Sequence, residues 1–189
     1  MYKSGRPPLS SIRLKDSNRN SGFSFVELMI TVSIFGILGL YGVSAYHEKI
    51  DAHRVARTAE KLVHHLALAR FEAIRWGYPV TLCPGDTSEG CAADSRWSAG
   101  WVAFVDSNQN YTLDLGERPF LAAAKSPGVT IGWRSPDRLL FKSDGSVWPN
   151  GHFRVCDLAS NNRRAVIIHL TGRARLSAQA PGNKPVQCG

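Results

Sequence analysis

The chain has 189 residues, enough for one folded domain besides terminal segments, and a formal net charge of +8. It contains no nucleophile elbow, phosphate loop or paired-carboxylate site, which argues against the common enzyme classes, and we expect no enzymatic activity. The charge is unevenly distributed. Residues 118–189 carry eleven basic and three acidic side chains, whereas residues 23–117 carry seven basic and eleven acidic ones.

The beginning of the chain has the charge pattern of a membrane anchor. Residues 1–22 carry five basic side chains against Asp16, and residues 23–46 contain one charged side chain, Glu27. The apolar side chains of this run point in every helical direction, and about 20 apolar residues span a bilayer. Basic residues before such a run keep the N-terminus in the cytoplasm. We therefore expect a leader at 1–22, a transmembrane helix at 23–46, and the remaining residues across the membrane.

The presence of Glu27 in the apolar run needs an explanation, because inserting a carboxylate costs about 2.5–3.5 kcal/mol at mid-bilayer and less near the end of a span. A cut after Gly22 would place the new amine of Phe23 one helical turn from Glu27, on the same face. Alternatively, Glu27 pairs with the amine of a neighbouring copy, which would make it an assembly device.

The string GFSFVEL, with basic residues before it and an apolar helix after it, closely resembles the class III signal of type IV pilins and type II secretion pseudopilins. The resemblance implies that prepilin peptidase cleaves between Gly22 and Phe23 and that Phe23 is then N-methylated. It also implies that Glu27 supports the registration of subunits in a filament.

Residues 47–77 predict an amphipathic continuation of this helix, because apolar side chains recur there at steps of three and four residues. No proline interrupts Phe23 to Trp76, and Gly77 and Pro79 end the helix. Residues 78–189 predict a head of short strands separated by turn-forming clusters. We expect these strands at Tyr78–Cys83, Gly100–Val105, Pro119–Ala123, Val129–Trp133, Leu139–Lys142, His152–Cys156, Ala165–Leu170 and Arg173–Leu176. Strands packed on the polar half of a long helix predict an α+β fold with an antiparallel β head.

Four cysteines lie in the part of the chain expected across the membrane, where the compartment is oxidising, so we expect them to be paired. Four cysteines allow three connectivities. The loop spacing favours Cys83 with Cys91, which leaves Cys156 with Cys188. The cysteines and histidines lack the spacing of a metal site, and we expect neither a bound metal nor a cofactor.

Three further segments resemble one branch of the pilin-like proteins, the GspH/FimT pseudopilins and minor pilins. They are LALARFEAIRWGYPVTLCPG, WSAGWVAFVDSNQN, and a late strand followed by TGRAR. The resemblance implies a type IV pilin-like fold, an inner-membrane protein with a cytoplasmic N-terminus and a periplasmic head, and assembly with other pilins or pseudopilins in a filament. We expect a minor pilin of a type IV pilus, with a GspH-type pseudopilin of a type II secretion system as the alternative.

The late basic cluster is the candidate binding site. Arg173 and Arg175 are two residues apart, so in an extended chain both side chains leave the same face. Gly172 permits a tight turn before them, and paired guanidinium groups suit phosphates. The element resembles the GRxR motif of FimT-type minor pilins, which bind DNA during natural transformation. We therefore expect non-specific binding of double-stranded DNA at Gly172, Arg173, Arg175, Arg163, Arg164 and Lys184.

The segment 106–117 places oxygen-bearing side chains at the spacing of an EF-hand calcium loop. Its sixth position, which calls for glycine, is Tyr111, and its flanks predict strands rather than helices. A polar connection rich in turn-forming Asp and Asn is the preferred interpretation, with a calcium-stabilised loop as the alternative.

Overall fold

The computed structural model describes residues 22–134 and 137–188, and within the helix it leaves the side chains of residues 39–48 undescribed. The leader predicted at 1–22 therefore lies outside the described residues apart from Gly22. The chain divides into two compact units, Met1–Gly42 and Val43–Gly189.

One helix, α1, runs from Phe25 to Trp76, close to the predicted Phe23–Trp76. In the first unit the backbone N–H of Leu28 donates to the carbonyl of Ser24 at 3.1 Å, which starts the helix. Apolar side chains cover all sides of the first turns and are exposed, Phe25 by 74%. No helix in the part of the chain that the structure describes has the length and hydropathy of a membrane span. The end of the predicted span, residues 39–46, falls among the side chains that are not described.

In the second unit α1 buries one stripe of small and apolar side chains. They recur at steps of three and four residues, the spacing of a single helical face: Val55, Ala59, Leu62, Leu66, Ala69 and Ala73. These side chains belong to the same hydrophobic core as residues from the strands. Small residues in the stripe allow the strands to approach the helix closely, so the stripe positions α1 on the head.

In the described residues after the helix there are ten strands and a 3-10 turn at Trp97–Ala99. The strands are β1 Val80–Asp86, β2 Gly90–Cys91, β3 Gly100–Val105, β4 Pro119–Ala124, β5 Val129–Gly132, β6 Leu139–Phe141, β7 Val147–Trp148, β8 Gly151–Asp157, β9 Arg163–Ile168 and β10 Ala174–Ser177. All eight predicted strands are present, with ends that differ by a few residues. The two-residue strands β2 and β7 were not predicted, because segments this short carry no alternation.

The strands form two antiparallel sheets. The first has the order β4-β3-β1-β6-β7, with β2 paired to β1, and the second has the order β10-β9-β8-β5. One face of the second sheet contributes Phe153 and Val166 to the core shared with α1. We call its opposite face, which carries Arg154, Ala165 and Ile167, the outer face. The α+β, pilin-like fold predicted from the sequence is confirmed, with two sheets in the head.

Both predicted disulfides are present. Cys83 joins Cys91 across a separation of eight residues, and Cys156 joins Cys188 across a separation of 32 residues. The first ties β1 to β2, and the second ties the C-terminal tail to the end of β8. In the chain-entropy model a loop of the second size contributes about 3–4 kcal/mol to stability.

The segment 106–117 is a polar connection whose carboxylates are satisfied by the protein. The buried Asp106 accepts hydrogen bonds from the Thr81 hydroxyl at 2.7 Å and from the backbone N–H groups of Asn110 and Tyr111 at 3.1 and 3.0 Å. Glu117 accepts from the N–H of Ser107 at 3.1 Å. Among the described residues no group of three or more His, Cys, Asp or Glu side chains is placed to hold a metal ion. The geometry favours the polar connection over the calcium loop.

Candidate nucleic-acid interface

The GRAR string forms the turn and first residues of the β9–β10 hairpin. The N–H of Gly172 donates to the carbonyl of His169 at 2.8 Å, and the N–H of His169 donates to the carbonyl of Arg173 at 3.0 Å. Gly172 has φ of +73°, which L side chains rarely adopt, so glycine is required for this turn. Arg173 and Arg175, which we call the hairpin arginines, are both exposed.

A second constraint on this turn comes from the helix. Nε of Arg70 donates to the carbonyl of Gly145 at 2.9 Å and to the carbonyl of Thr171 at 3.1 Å. A Cβ at position 172 would lie 2.1 Å from the carbonyl oxygen of Gly145 and 2.9 Å from Cδ of Arg70. Arg70 therefore joins two turns that must approach closely, and it holds the hairpin that presents the hairpin arginines.

Strand register places Arg175 on the outer face. Arg175 lies opposite Ile167 in β9, and Ile167 lies opposite His152 in β8. Strands are about 4.8 Å apart, so Arg175 and His152 are separated by roughly 10 Å across the sheet. Arg173 precedes Arg175 by two residues, and alternation gives it the same side.

Of the two neighbouring arginines of the basic cluster, Arg163 lies on the outer face and Arg164 does not. Because side chains alternate along β9, Arg164 emerges on the opposite face, opposite Val155 of the core. The Arg163 guanidinium donates to the carbonyl of Val186 at 3.0 Å and also to the Asn161 side chain. Arg163 thus holds the C-terminal tail, and Arg164 is separated from the site to which the sequence assigned it.

The structure adds two arginines to the outer face that the sequence analysis missed. Arg154 lies directly opposite Gly132 of β5, and a Cβ on Gly132 would come within 2.9 Å of the Arg154 guanidinium. Arg134, just beyond β5, donates to the carbonyl of Asn150 at 2.6 Å. Long stretches of sequence separate these residues, and only the strand register brings them together. The glycine opposite Arg154 was a possible signal, since it leaves room for a guanidinium.

Among the residues that the structure describes, no carboxylate forms an ion pair with these cations. In the described ranges, ion pairs involve only three arginines, each in another part of the chain: Arg54, Arg75 and Arg96. Where the arginines of the outer face are anchored, their partners are mostly neutral backbone carbonyls. The positive charge of the outer face is therefore available to an external anion.

The predicted cleavage site is also accessible in the structure. Gly22 has no atom within 4 Å of the position of a Cβ, and the side chain of Phe23 is 81% exposed. Both residues precede the helix, so the peptide bond between them is not part of its hydrogen bonding. Glu27 lies in the first helical turn, where a negative charge is favoured by the helix dipole.

Comparison with known families gives the placement of the chain. A family model described as Type II transport protein GspH matches residues 58–172, more than half of the chain. This chain belongs to the GspH family. A second model, the prokaryotic N-terminal methylation motif, matches residues 17–41 and thus covers the GFSFVEL string of this GspH-family chain. The resemblance to pilin-like minor pilins and pseudopilins of the GspH/FimT type is confirmed.

The crystal structures of one minor pilin show the same fold. The type IV minor pilin FimU of Pseudomonas aeruginosa matches in two crystal forms. One form has a TM-score of 0.54 and 20% identity over 69% of this chain and 95% of FimU. The other has a TM-score of 0.52 and 21% identity over 68% and 98%. The minor pseudopilin EpsH of the Vibrio cholerae type 2 secretion system matches with a TM-score of 0.44 and 16% identity, over 68% of this chain and 98% of EpsH. Among curated proteins, none matches this GspH-family chain.

Proposed function

We propose that the protein is a minor pilin of a type IV pilus system that binds double-stranded DNA, without sequence preference, for uptake in natural transformation. The observation that carries the proposal is the outer face, on which Arg173, Arg175 and Arg163 have no carboxylate partner among the described residues. Guanidinium groups bind phosphate oxygens bidentately, and the phosphate backbone dominates non-specific affinity for DNA.

The hairpin arginines make the first contacts in this proposal. Two residues of extended chain span about 6.4–6.8 Å, so Arg173 and Arg175 meet separate positions along one phosphate backbone. They project from a hairpin held by Arg70, which reduces the entropy lost when the phosphates bind. In this proposal the arginines contact phosphates, which carry no sequence information, so we expect binding independent of sequence.

The proposal assigns the N-terminus to maturation and assembly. Prepilin peptidase cleaves between Gly22 and Phe23, Phe23 is N-methylated, and Glu27 registers the subunit in the filament. The protein waits in the inner membrane with its N-terminus in the cytoplasm, and then enters the pilus. The exposed apolar side chains at the start of α1 support this proposal, because so large an apolar surface requires lipid or neighbouring subunits to cover it. Mass spectrometry of the extracted protein is expected to find N-methylated Phe23 as the first residue, and an intact Met1 would contradict this.

A double substitution with a matched control tests DNA binding. Arg173→Gln with Arg175→Gln removes two charges from the outer face, and Arg57→Gln with Arg118→Gln removes two exposed charges elsewhere. Both variants are compared as full-length protein in non-ionic detergent, by fluorescence anisotropy with a labelled DNA duplex. We expect the first variant to bind about 30-fold more weakly at 0.15 M salt, since each lost phosphate contact costs about fivefold. The control should stay near wild type, and equal losses in both would show that only net charge matters.

The second candidate function is that of a GspH-type pseudopilin of a type II secretion system. It is favoured by the family model, whose description names type II transport. In that role the outer face binds another pseudopilin or an exported protein instead of DNA. A wild-type protein that binds no DNA even at low salt would favour this role. Transformation that fails in the hairpin variant while pili still assemble would favour the pilus.

A further inference from the structure

We infer that the C-terminal tail and the outer face together form a second phosphate-binding site, the tail groove, whose tail wall is held by the Cys156–Cys188 disulfide. The inference rests on the proposed DNA binding and adds a separate contact that depends on the oxidised protein. The groove has a volume of about 670 Å³, and its lining includes Arg134, His152, Arg154 and Lys184.

The charged residues in the lining of the tail groove are basic. Its described lining residues are the four just named, Ala180, two prolines and Gln187, and none of these carries a carboxylate. Partial burial, followed by the nearby charges of Arg154 and Arg134, lowers the pKa of His152 below its ordinary value. The two guanidinium groups thus act on the same small volume from β8 and from the end of β5. A bound dianion or phosphodiester would relieve this repulsion, which is the chemistry expected of a phosphate site.

The two arginines are positioned before any ligand arrives. Arg154 lies over Gly132 and donates to the carbonyl of Gln187 at 3.5 Å. Arg134 donates to the carbonyl of Asn150 at 2.6 Å. A guanidinium carries five N–H donors, so one donor used on a carbonyl leaves the others for phosphate oxygens. Each arginine is therefore held in place while most of its donors remain free.

One side of the groove, the tail wall, is formed by residues of the C-terminal tail from Ala180 onward. It forms because the chain reverses direction and is then fixed by the disulfide. The N–H of Ala180 donates to the carbonyl of Lys184 at 2.8 Å across the turn at 181–183. The returning segment buries Val186 against Ala165 and Ile167, and it ends at the disulfide to Cys156. Without the disulfide, the tail is held by the buried side chain of Val186 and by hydrogen bonds from Arg154 and Arg163 to the carbonyls of Gln187 and Val186. Most of the other tail residues are exposed.

The tail also separates the groove from the hairpin arginines. Val186 packs over Ala165 and Ile167 in β9, the strand between Arg175 in β10 and the groove residues in β8. The hairpin arginines and the tail groove therefore lie on opposite sides of β9, the strand that the tail covers. The hairpin arginines and the groove bind different phosphates of the same duplex, and reduction of the disulfide weakens the second site only.

The test compares full-length variants in non-ionic detergent with a labelled DNA duplex. Arg134→Gln with Arg154→Gln is expected to lower affinity at least about fivefold at 0.15 M salt, the loss for one phosphate contact. Lys184→Gln removes the cation of the tail wall and should lower affinity as well. Cys156→Ser with Cys188→Ser should lower affinity about as much as Lys184→Gln does, because it releases the tail, whereas the matched control, Cys83→Ser with Cys91→Ser, should bind like wild type. Thermal melts establish that each variant is folded.

A second measurement tests phosphate binding in the tail groove independently of DNA binding. Inorganic phosphate is titrated into the wild-type protein, and the imidazole resonances of His152 are followed by NMR, with His152→Gln for assignment. We expect these resonances to shift in wild type and to stay unchanged in the Arg134→Gln, Arg154→Gln variant. Wild-type affinity for DNA in that variant, or in Lys184→Gln, would overturn the groove while leaving the hairpin site intact. If wild type binds no DNA, the proposed function fails, and an absent His152 shift would then also refute the groove.

Discussion

At the scale of single residues, the candidate site depends on residues that position the hairpin arginines without contacting the ligand themselves. Gly172 and Gly145 allow two turns to approach closely. Arg70 packs beside them and donates hydrogen bonds to one carbonyl in each turn. Of the three, only Gly172 stands out in the sequence, as part of the GRAR string. Their effect is to fix the direction in which the hairpin arginines leave the sheet.

Gly172→Ala tests this constraint against a matched control. Gly182 has a similar φ, +76°, but no atom within 4 Å of its Cβ position, so Gly182→Ala measures backbone strain alone, about 1 kcal/mol. At position 172 the added Cβ also meets the carbonyl oxygen of Gly145. We expect Gly172→Ala to lower the free energy of unfolding by about 1–3 kcal/mol more than the control does. Urea denaturation measures both, and equal losses would show that the turns separate at no cost.

His65 gives a pH dependence with a definite sign. Its Nδ1 accepts a hydrogen bond from Nε1 of Trp101 at 3.0 Å. Burial, with smaller contributions from the charges of Lys61 and His64, lowers its pKa from 6.5 to about 4. Above pH 6.5 both the folded and the unfolded states are neutral at this site. As the pH falls from 6.5 towards 4, only the unfolded state takes up the proton, so stability is lost over that window.

Substitution by glutamine removes this titration and keeps an acceptor for Trp101. We expect the melting temperature of His65→Gln to fall less between pH 7 and pH 5 than that of wild type. The exposed neighbour supplies the control, and His64→Gln should retain most of the wild-type loss. His152, whose pKa is also lowered, accounts for part of the remaining slope. An identical loss in wild type and His65→Gln would refute the assignment.

At the scale of elements, the local structure was largely predictable and the pairing of elements was not. The C-terminal end of α1 was predictable because Gly77 and Pro79 follow the helix. The longer strands were predictable because turn residues bound them. The division into two sheets depends on which strands pair over long distances, for example β5 with β8, and alternation alone does not encode that choice. The same limit explains why the arrangement of the arginines differs from the grouping expected from the sequence. Arg154 and Arg134 join it through register, and Arg164 leaves it through the alternation of β9.

The 106–117 connection provides a prediction at this scale. Asp106 is buried and accepts three hydrogen bonds that fold the connection back onto β1. In Asp106→Asn an NH₂ group replaces one acceptor oxygen and faces a donor, which should cost about 1–3 kcal/mol of unfolding free energy. Asp94→Asn, which breaks an exposed pair with Arg96, should cost less than about 1 kcal/mol. Chemical denaturation compares the two, and excess calcium should not raise the stability of wild type.

At the scale of the whole molecule, the charge asymmetry of the sequence corresponds to a surface of the head. The excess of basic residues after position 118 includes the outer face of the second sheet, while several acidic side chains of the preceding part are used to fold connections. The family, the fold and both disulfides followed from the sequence. The tail groove did not, because it forms only where the C-terminal residues return across β8 and are tied to Cys156.

The salt dependence of DNA affinity tests the central claim most directly. Each neutralised phosphate contributes about −0.9 to the slope of log affinity against log salt concentration. Contacts from the hairpin arginines and their neighbours on the outer face predict a wild-type slope of about −3 to −5, measured with the full-length protein and a DNA duplex. Substitution of both hairpin arginines by glutamine should reduce the magnitude of that slope by about two units. A slope unchanged by the double substitution, or affinity independent of salt, would contradict phosphate binding by the outer face.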